Sequence, residues 1–180
     1  MTKRNKKEEG FTLVETLVAI AVLLLAVAAP LSLATKSLNA SALSKQQITA
    51  AFLAQEAMEY IRNIRDENVI KHGDWLHADS GIQNCFTGKC IVDPTITSGT
   101  DNIKKCQSGV CPLLRYRESN GVYSYDTGVG TDDSIFTRVV EMTDIINGRE
   151  VAVFVTISWL GPATVVYKVI ARENLTNWQY

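Results

Sequence analysis

The chain has 180 residues, 46% of them apolar, with 18 Lys and Arg against 19 Asp and Glu and a formal net charge of −1. At ~150 residues per domain this is the length of one ordinary domain, and the apolar fraction excludes wholesale disorder. The near-zero balance excludes a generic polyanion binder, which needs clustered Lys and Arg.

The average hides a division at the N-terminus. Lys3, Arg4, Lys6 and Lys7 precede residues 16–35, a stretch without a charged residue in which only Thr16, Pro30, Ser32 and Thr35 interrupt Leu, Val, Ile and Ala. A bilayer core takes ~20 helical residues, so the stretch can span. Cations on its near side predict a cytoplasmic N-terminus and an exported remainder. One reading is a secretory signal peptide with Ala26-Val27-Ala28 as its cleavage signal, hence a conventionally secreted protein cut near Ala28. That reading leaves Glu15 unexplained. A carboxylate costs ~2.5–3.5 kcal/mol at the centre of a membrane helix and less near the interface, so its presence calls for a partner. Pro30, just beyond the alanines, also makes a poor cleavage site.

The block Gly10-Phe11-Thr12-Leu13-Val14-Glu15, behind a short basic leader and ahead of the apolar run, resembles the type IV prepilin family, including the pseudopilins of type II secretion. The resemblance implies cleavage between Gly10 and Phe11 by a prepilin peptidase and N-methylation of Phe11. It makes Glu15 the fifth mature residue, with a role in assembly. It implies a minor pilin or minor pseudopilin subunit that is a substrate of those enzymes and not itself an enzyme. The expected partners are other pilin or pseudopilin subunits, the peptidase, an inner-membrane assembly platform and the lipid bilayer. The expected location is a single pass in the cytoplasmic membrane, then a filament at the cell surface or in the periplasm. Losing residues 1–10 removes four cations and two anions, Glu8 and Glu9, leaving 14 against 17 and a mature balance of −3.

Pro30 predicts a kink in a continuing helix, which membrane helices tolerate. From Lys45 onward, Leu53, Ala57, Tyr60, Ile61 and Ile64 recur at helical spacing, with Gln55, Glu56, Glu59, Arg62 and Arg65 off the stripe. The helical signal fades at residues 66–68, and His72-Gly73-Asp74 closes it. Near the C-terminus, residues 135–146, Asn147-Gly148 and residues 149–159 read as a hairpin with a type I′ turn, positive φ being expected at both central residues. This register sets Phe136 opposite Trp159, Val140 opposite Val155 and Met142 opposite Val153, on the face that also carries Val151 and Ile157. Gly161-Pro162 marks a second turn, and residues 164–172 read as a third strand.

The expected fold class is therefore α+β and pilin-like: a long N-terminal helix packed on a C-terminal antiparallel sheet. The expected divisions are the leader 1–10, the transmembrane half of the helix 11–35, its amphipathic half 36–68, a cysteine-bearing loop region 69–134 and a β-meander 135–180. All four cysteines lie in the loop region, as Cys85-Phe86-Thr87-Gly88-Lys89-Cys90 and Cys106-Gln107-Ser108-Gly109-Val110-Cys111. An exported chain with an even count favours disulfides. Of three possible pairings, loop geometry favours Cys85–Cys90 with Cys106–Cys111. The rival is a four-cysteine zinc site.

His72, His77, Asp74 and Asp79 sketch a weak metal constellation, and Asp126, Asp132 and Asp133 a weak calcium one. Hydrated loop carboxylates are the simpler reading, and no metal or cofactor is expected. Lys89, Lys104 and Lys105 make too thin a basic patch for nucleic acid. An adhesin or DNA-uptake pilin using the cysteine region as its binding surface is the functional alternative. No nucleophile elbow, zinc-protease motif or P-loop is present.

Overall fold

The computed structural model describes residues 10, 12–76, 80–96, 102–161 and 164–178. One long helix and an antiparallel sheet form the α+β, pilin-like layout. Helix α1 covers Leu13–His72 and continues through Pro30. The strands are β1 (Cys90–Val92), β2 (Ile103–Lys105), β3 (Leu113–Arg117), β4 (Val122–Ser124), β5 (Thr131–Ile146), β6 (Glu150–Leu160) and β7 (Val166–Thr176), and a 3-10 turn covers Ile82–Cys85. The chain divides into two compact units, Met1–Ser44 and Lys45–Tyr180.

In the first unit the apolar side chains of α1 are exposed, from Leu13 to Leu38. The hydroxyls of its charge-free stretch, residues 16–35, are satisfied within the helix: Thr16 Oγ1 donates to the Leu13 carbonyl, Ser32 Oγ to Ala29 and Thr35 Oγ1 to Ser32, each at 2.9 Å. Such back-bonding lets a hydroxyl sit in lipid without an orphaned proton. This is the chain's one described helix that is long and apolar enough to cross a membrane.

In the second unit the stripe of α1 becomes a core face. Leu53, Ala57, Ile61 and Ile64 are buried. Tyr60 is half-buried and spends its hydroxyl on polar contacts, accepting from Asn102 Nδ2 and donating to the Ile96 carbonyl. Opposite lie Val151, Val153, Val155 and Ile157 of β6, all with no exposed surface. Each such side chain contributes ~1.5–3 kcal/mol by leaving water.

The sheet order is β2-β1-β5-β3-β4, with β6 on the other margin of β5 and β7 beyond β6. The β5–β6 register pairs Phe136 with Trp159, Val140 with Val155 and Met142 with Val153, as the periodicity predicts.

Four differences from the sequence reading have physical causes. First, residues 69–134 are not simply loop: β1 to β4 lie there and join the sheet, all of them only 3 or 5 residues long, with β1 and β3 paired on β5, β2 on β1 and β4 on β3. Runs that short carry too little periodicity to register. Second, α1 does not fade at residues 66–68 but runs on to His72, where the His72-Gly73-Asp74 signal closes it as expected: buried Asn68 donates to the Trp75 carbonyl and buried Val69 extends the core face. Third, β7 starts at Val166 and runs to Thr176, because its far half is held by α1: Arg62 pairs with Glu173, Leu175 is buried, and Arg65 Nη1 donates to the Thr176 carbonyl at 3.0 Å.

Fourth, the hairpin turn is not type I′. Gly148 has φ +70°, but Asn147 is not among the positive-φ residues, and Ile146 pairs with Glu150 across a three-residue loop. A register shift between Asp144 and Ile146 absorbs the odd residue, so the strands stay in the expected alignment. Two consecutive positive-φ residues occur instead at Ser108 (φ 50°) and Gly109 (φ 74°), where Val110 N donates to the Gln107 carbonyl at 2.9 Å.

Candidate functional site

Gly10 is exposed, and a Cβ built on it would have no heavy atom within 4 Å. Phe11, the expected new N-terminus and methylation site, lies outside the described residues. Thr12 follows as the helix cap: its Oγ1 accepts from the Glu15 backbone N–H at 3.3 Å, and its carbonyl accepts from Thr16 N at 3.2 Å. Thr12-Leu13-Val14-Glu15 has the spacing of a capping box, a signal readable in the sequence. Glu15 stands in the first turn of α1, where the helix dipole favours an anion. Among the described residues no cation meets its carboxylate.

Residues 5–29 match the model of the prokaryotic N-terminal methylation motif. Over that segment the chain is similar to type IV prepilins. No curated protein and no solved structure matches it. Members of the type IV pilin motif family are structural subunits, and the motif implies pilin subunits and a prepilin peptidase as partners in general. With the long apolar helix, it fits a membrane-anchored protein.

In the cysteine region, Cys85 is bonded to Cys90 and Cys106 to Cys111, with Cα separations of 5.0 and 4.8 Å. No thiol remains to ligate zinc. The two loops differ despite their common spacing. The first spans the 3-10 turn and enters β1, its cysteines essentially buried, whereas the second is a turn beyond β2 with Val110 exposed. Beside the second loop, Ile91, Val110, Pro112 and the Cys106–Cys111 bridge line an open groove of about 660 Å³ with Lys104 and Lys105 on it. Lys105 Nζ is already committed, donating to Thr87 Oγ1 at 3.2 Å.

The weak calcium constellation does not assemble among the described residues. Asp126 pairs with Arg117, Asp133 pairs with Arg115 at 3.0 Å, and Asp132 is exposed. Asp74 accepts from the Leu76 backbone N–H at 3.1 Å, while His77 and Asp79 lie outside the described residues. Among the described residues no three metal-ligating side chains converge.

Strand parity could have found one further residue. Arg138 shares the inward parity of Phe136, Val140 and Met142, and it is fully buried. Its Nη1 donates to Glu56 at 2.6 Å and to the Leu53 carbonyl at 3.3 Å, and its Nη2 donates to the Val92 carbonyl at 2.6 Å. It ties α1, β1 and β5 together. Tyr125, whose hydroxyl donates to the Arg138 carbonyl at 3.2 Å, has its pKa pushed up to about 12 by burial.

Proposed function

We propose that the protein is a minor type IV pilin or type II secretion pseudopilin subunit, cut after Gly10, N-methylated at Phe11 and assembled into a filament through its N-terminal helix. The observation that carries this reading is the methylation motif over residues 5–29, continued by a helix that is charge-free after Glu15 as far as Lys36.

The chemistry runs as follows. Cleavage after Gly10 creates a positive α-amine on Phe11, four residues ahead of Glu15. In a bundle of such helices the Glu15 carboxylate of one subunit meets the α-amine of its neighbour. Opposite unit charges ~4 Å apart attract by about 4 kcal/mol at an effective dielectric of 20. Each also removes the unpaired-charge penalty of the other. The Glu15 carboxylate, which meets no cation among the described residues, is thus provided for by assembly, and the pair sets the axial register of the helices.

Lys3, Arg4, Lys6 and Lys7 hold the N-terminus on the cytoplasmic side. The unit Lys45–Tyr180 is then exported, in keeping with two closed disulfides and an oxidising compartment. Mass analysis of the mature N-terminus tests the reading: N-methyl-Phe11 is expected. A chain that begins at Ala29, or that keeps residues 1–10 in the assembled state, overturns it.

A further inference from the structure

Strand β7 is an edge. It pairs with β6 along its whole length, Leu160 with Val166 through Glu150 with Thr176, and its other margin has no strand partner among the described residues. A bare strand margin is a row of backbone donors and acceptors ready to pair with another chain. Here the bareness is confined to the first half. Beyond Arg172, the Arg62–Glu173 pair and the Arg65 bond to Thr176 tie the strand to α1.

The side chains along the free half say what it selects. On the face turned away from α1, Val166, Lys168, Ile170 and Arg172 alternate, all exposed, with Val166 at 67% and Ile170 at 52%. Leu160, opposite Val166 on β6, widens the apolar part and is 58% exposed. Arg172 lies over the Phe154 ring, 5.3 Å from its centroid, and Lys168 forms no ion pair among the described residues. On the other face Tyr167 stacks on Trp159, followed by half-buried Val169 and Ala171. An incoming strand would therefore meet two cations on one face and an apolar row on the other.

Charge on a sheet edge commonly repels an identical edge. A second copy of β7, antiparallel and centred on Ile170, would set Lys168 against Arg172. The β2 edge presents Lys104 and Lys105, both exposed, and would be repelled too. The β4 edge, Val122–Ser124, is three residues long and uncharged. A margin whose charges are all positive turns away its own copies and attracts a strand of opposite sign.

We infer that the free margin of β7 accepts an added strand from a different protein, an extended segment in which carboxylates alternate with apolar side chains. Backbone pairing supplies the attachment. Lys168 and Arg172 supply the choice of partner and of register. The inference does not rest on the filament reading above.

The test uses the full oxidised chain in detergent micelles and a capped heptapeptide in which valine and glutamate alternate. The same peptide with lysine for glutamate is the control. The glutamate peptide is expected to bind, to slow amide exchange in β7, and to weaken about tenfold on going from low to high salt. The double variant Lys168→Glu with Arg172→Glu should lose the glutamate peptide by about tenfold or more and gain the lysine peptide. Lys168→Glu alone should show a smaller change of the same sign, which keeps the test alive if the double variant fails to fold. A glutamate peptide N-methylated along one margin should not bind. Absence of binding, equal binding of both peptides, full binding of the N-methylated peptide, or self-association of the chain through β7 would each overturn the inference.

Discussion

Arg138 is a guanidinium without exposed surface in a sheet face otherwise built from Val, Phe, Met and Ile, and its stability depends on a partner that still reaches water. Glu56 is 39% exposed at its side chain while Arg138 is fully enclosed. Removing the carboxylate leaves a buried cation with the Leu53 and Val92 carbonyls and the Tyr125 ring but no anion on it. Removing the cation instead frees a carboxylate that can hydrate. Breaking a buried pair from the side that strands the charge costs ~3 kcal/mol or more, whereas an apolar replacement of similar volume is often close to neutral. Glu56→Ala is therefore expected to destabilise the protein by about 3 kcal/mol and Arg138→Met by about 1 kcal/mol. Urea denaturation of the oxidised protein in micelles checks the order, and equal losses would show that the pair acts through packing alone. The sequence contained the clue, because residue 138 has inward parity. An Arg in an apolar row nevertheless reads as an error of register until a Glu on another element is seen to face it.

At the scale of elements, the hairpin separates what periodicity determines from what a turn motif determines. The alternation in β5 and β6 sets the register, because a slip of one residue would turn Phe136, Val140, Val153 and Ile157 outward. The Asn147-Gly148 pair marks where the chain reverses without specifying how. The structure uses three loop residues and one left-handed position, Gly148 at φ +70°. A side chain there is strained although its Cβ would meet no atom within 4 Å. Gly148→Ala is expected to cost ~1–2 kcal/mol through backbone conformation, and Asn147→Ala only a few tenths. Thermal unfolding of the two variants checks this, since a type I′ turn would penalise both alike.

At the scale of the whole molecule, the two units answer to different solvents. The first carries an apolar exposed helix with one carboxylate at its start, and the second a conventional core with paired surface charges. Glu15→Val removes the only charged side chain between Gly10 and Lys36. It should leave membrane insertion and the core of the second unit intact while cutting incorporation into filaments by about tenfold or more. That magnitude follows because an attraction of ~4 kcal/mol exceeds the ~1.4 kcal/mol that separates tenfold steps in an equilibrium. Quantifying mutant against wild-type subunits in purified filaments checks it, and equal incorporation would remove Glu15 from the assembly mechanism.

The N-terminal chemistry is local and linear: a basic leader, a Gly-Phe junction, a carboxylate and a run of apolar residues carry their meaning in consecutive letters. They were legible before any fold was known, as were the helical stripe and the inner face of β5 and β6, where a period of 3.6 or of two exposes the burial pattern. Tertiary structure alone decided three things: that the short strands β1 and β3 pair onto β5, that Glu56 neutralises Arg138, and that the first half of β7 has one margin without a strand partner among the described residues. Each depends on groups tens of residues apart in the chain meeting in space, and the energy of such a meeting is written in neither residue by itself.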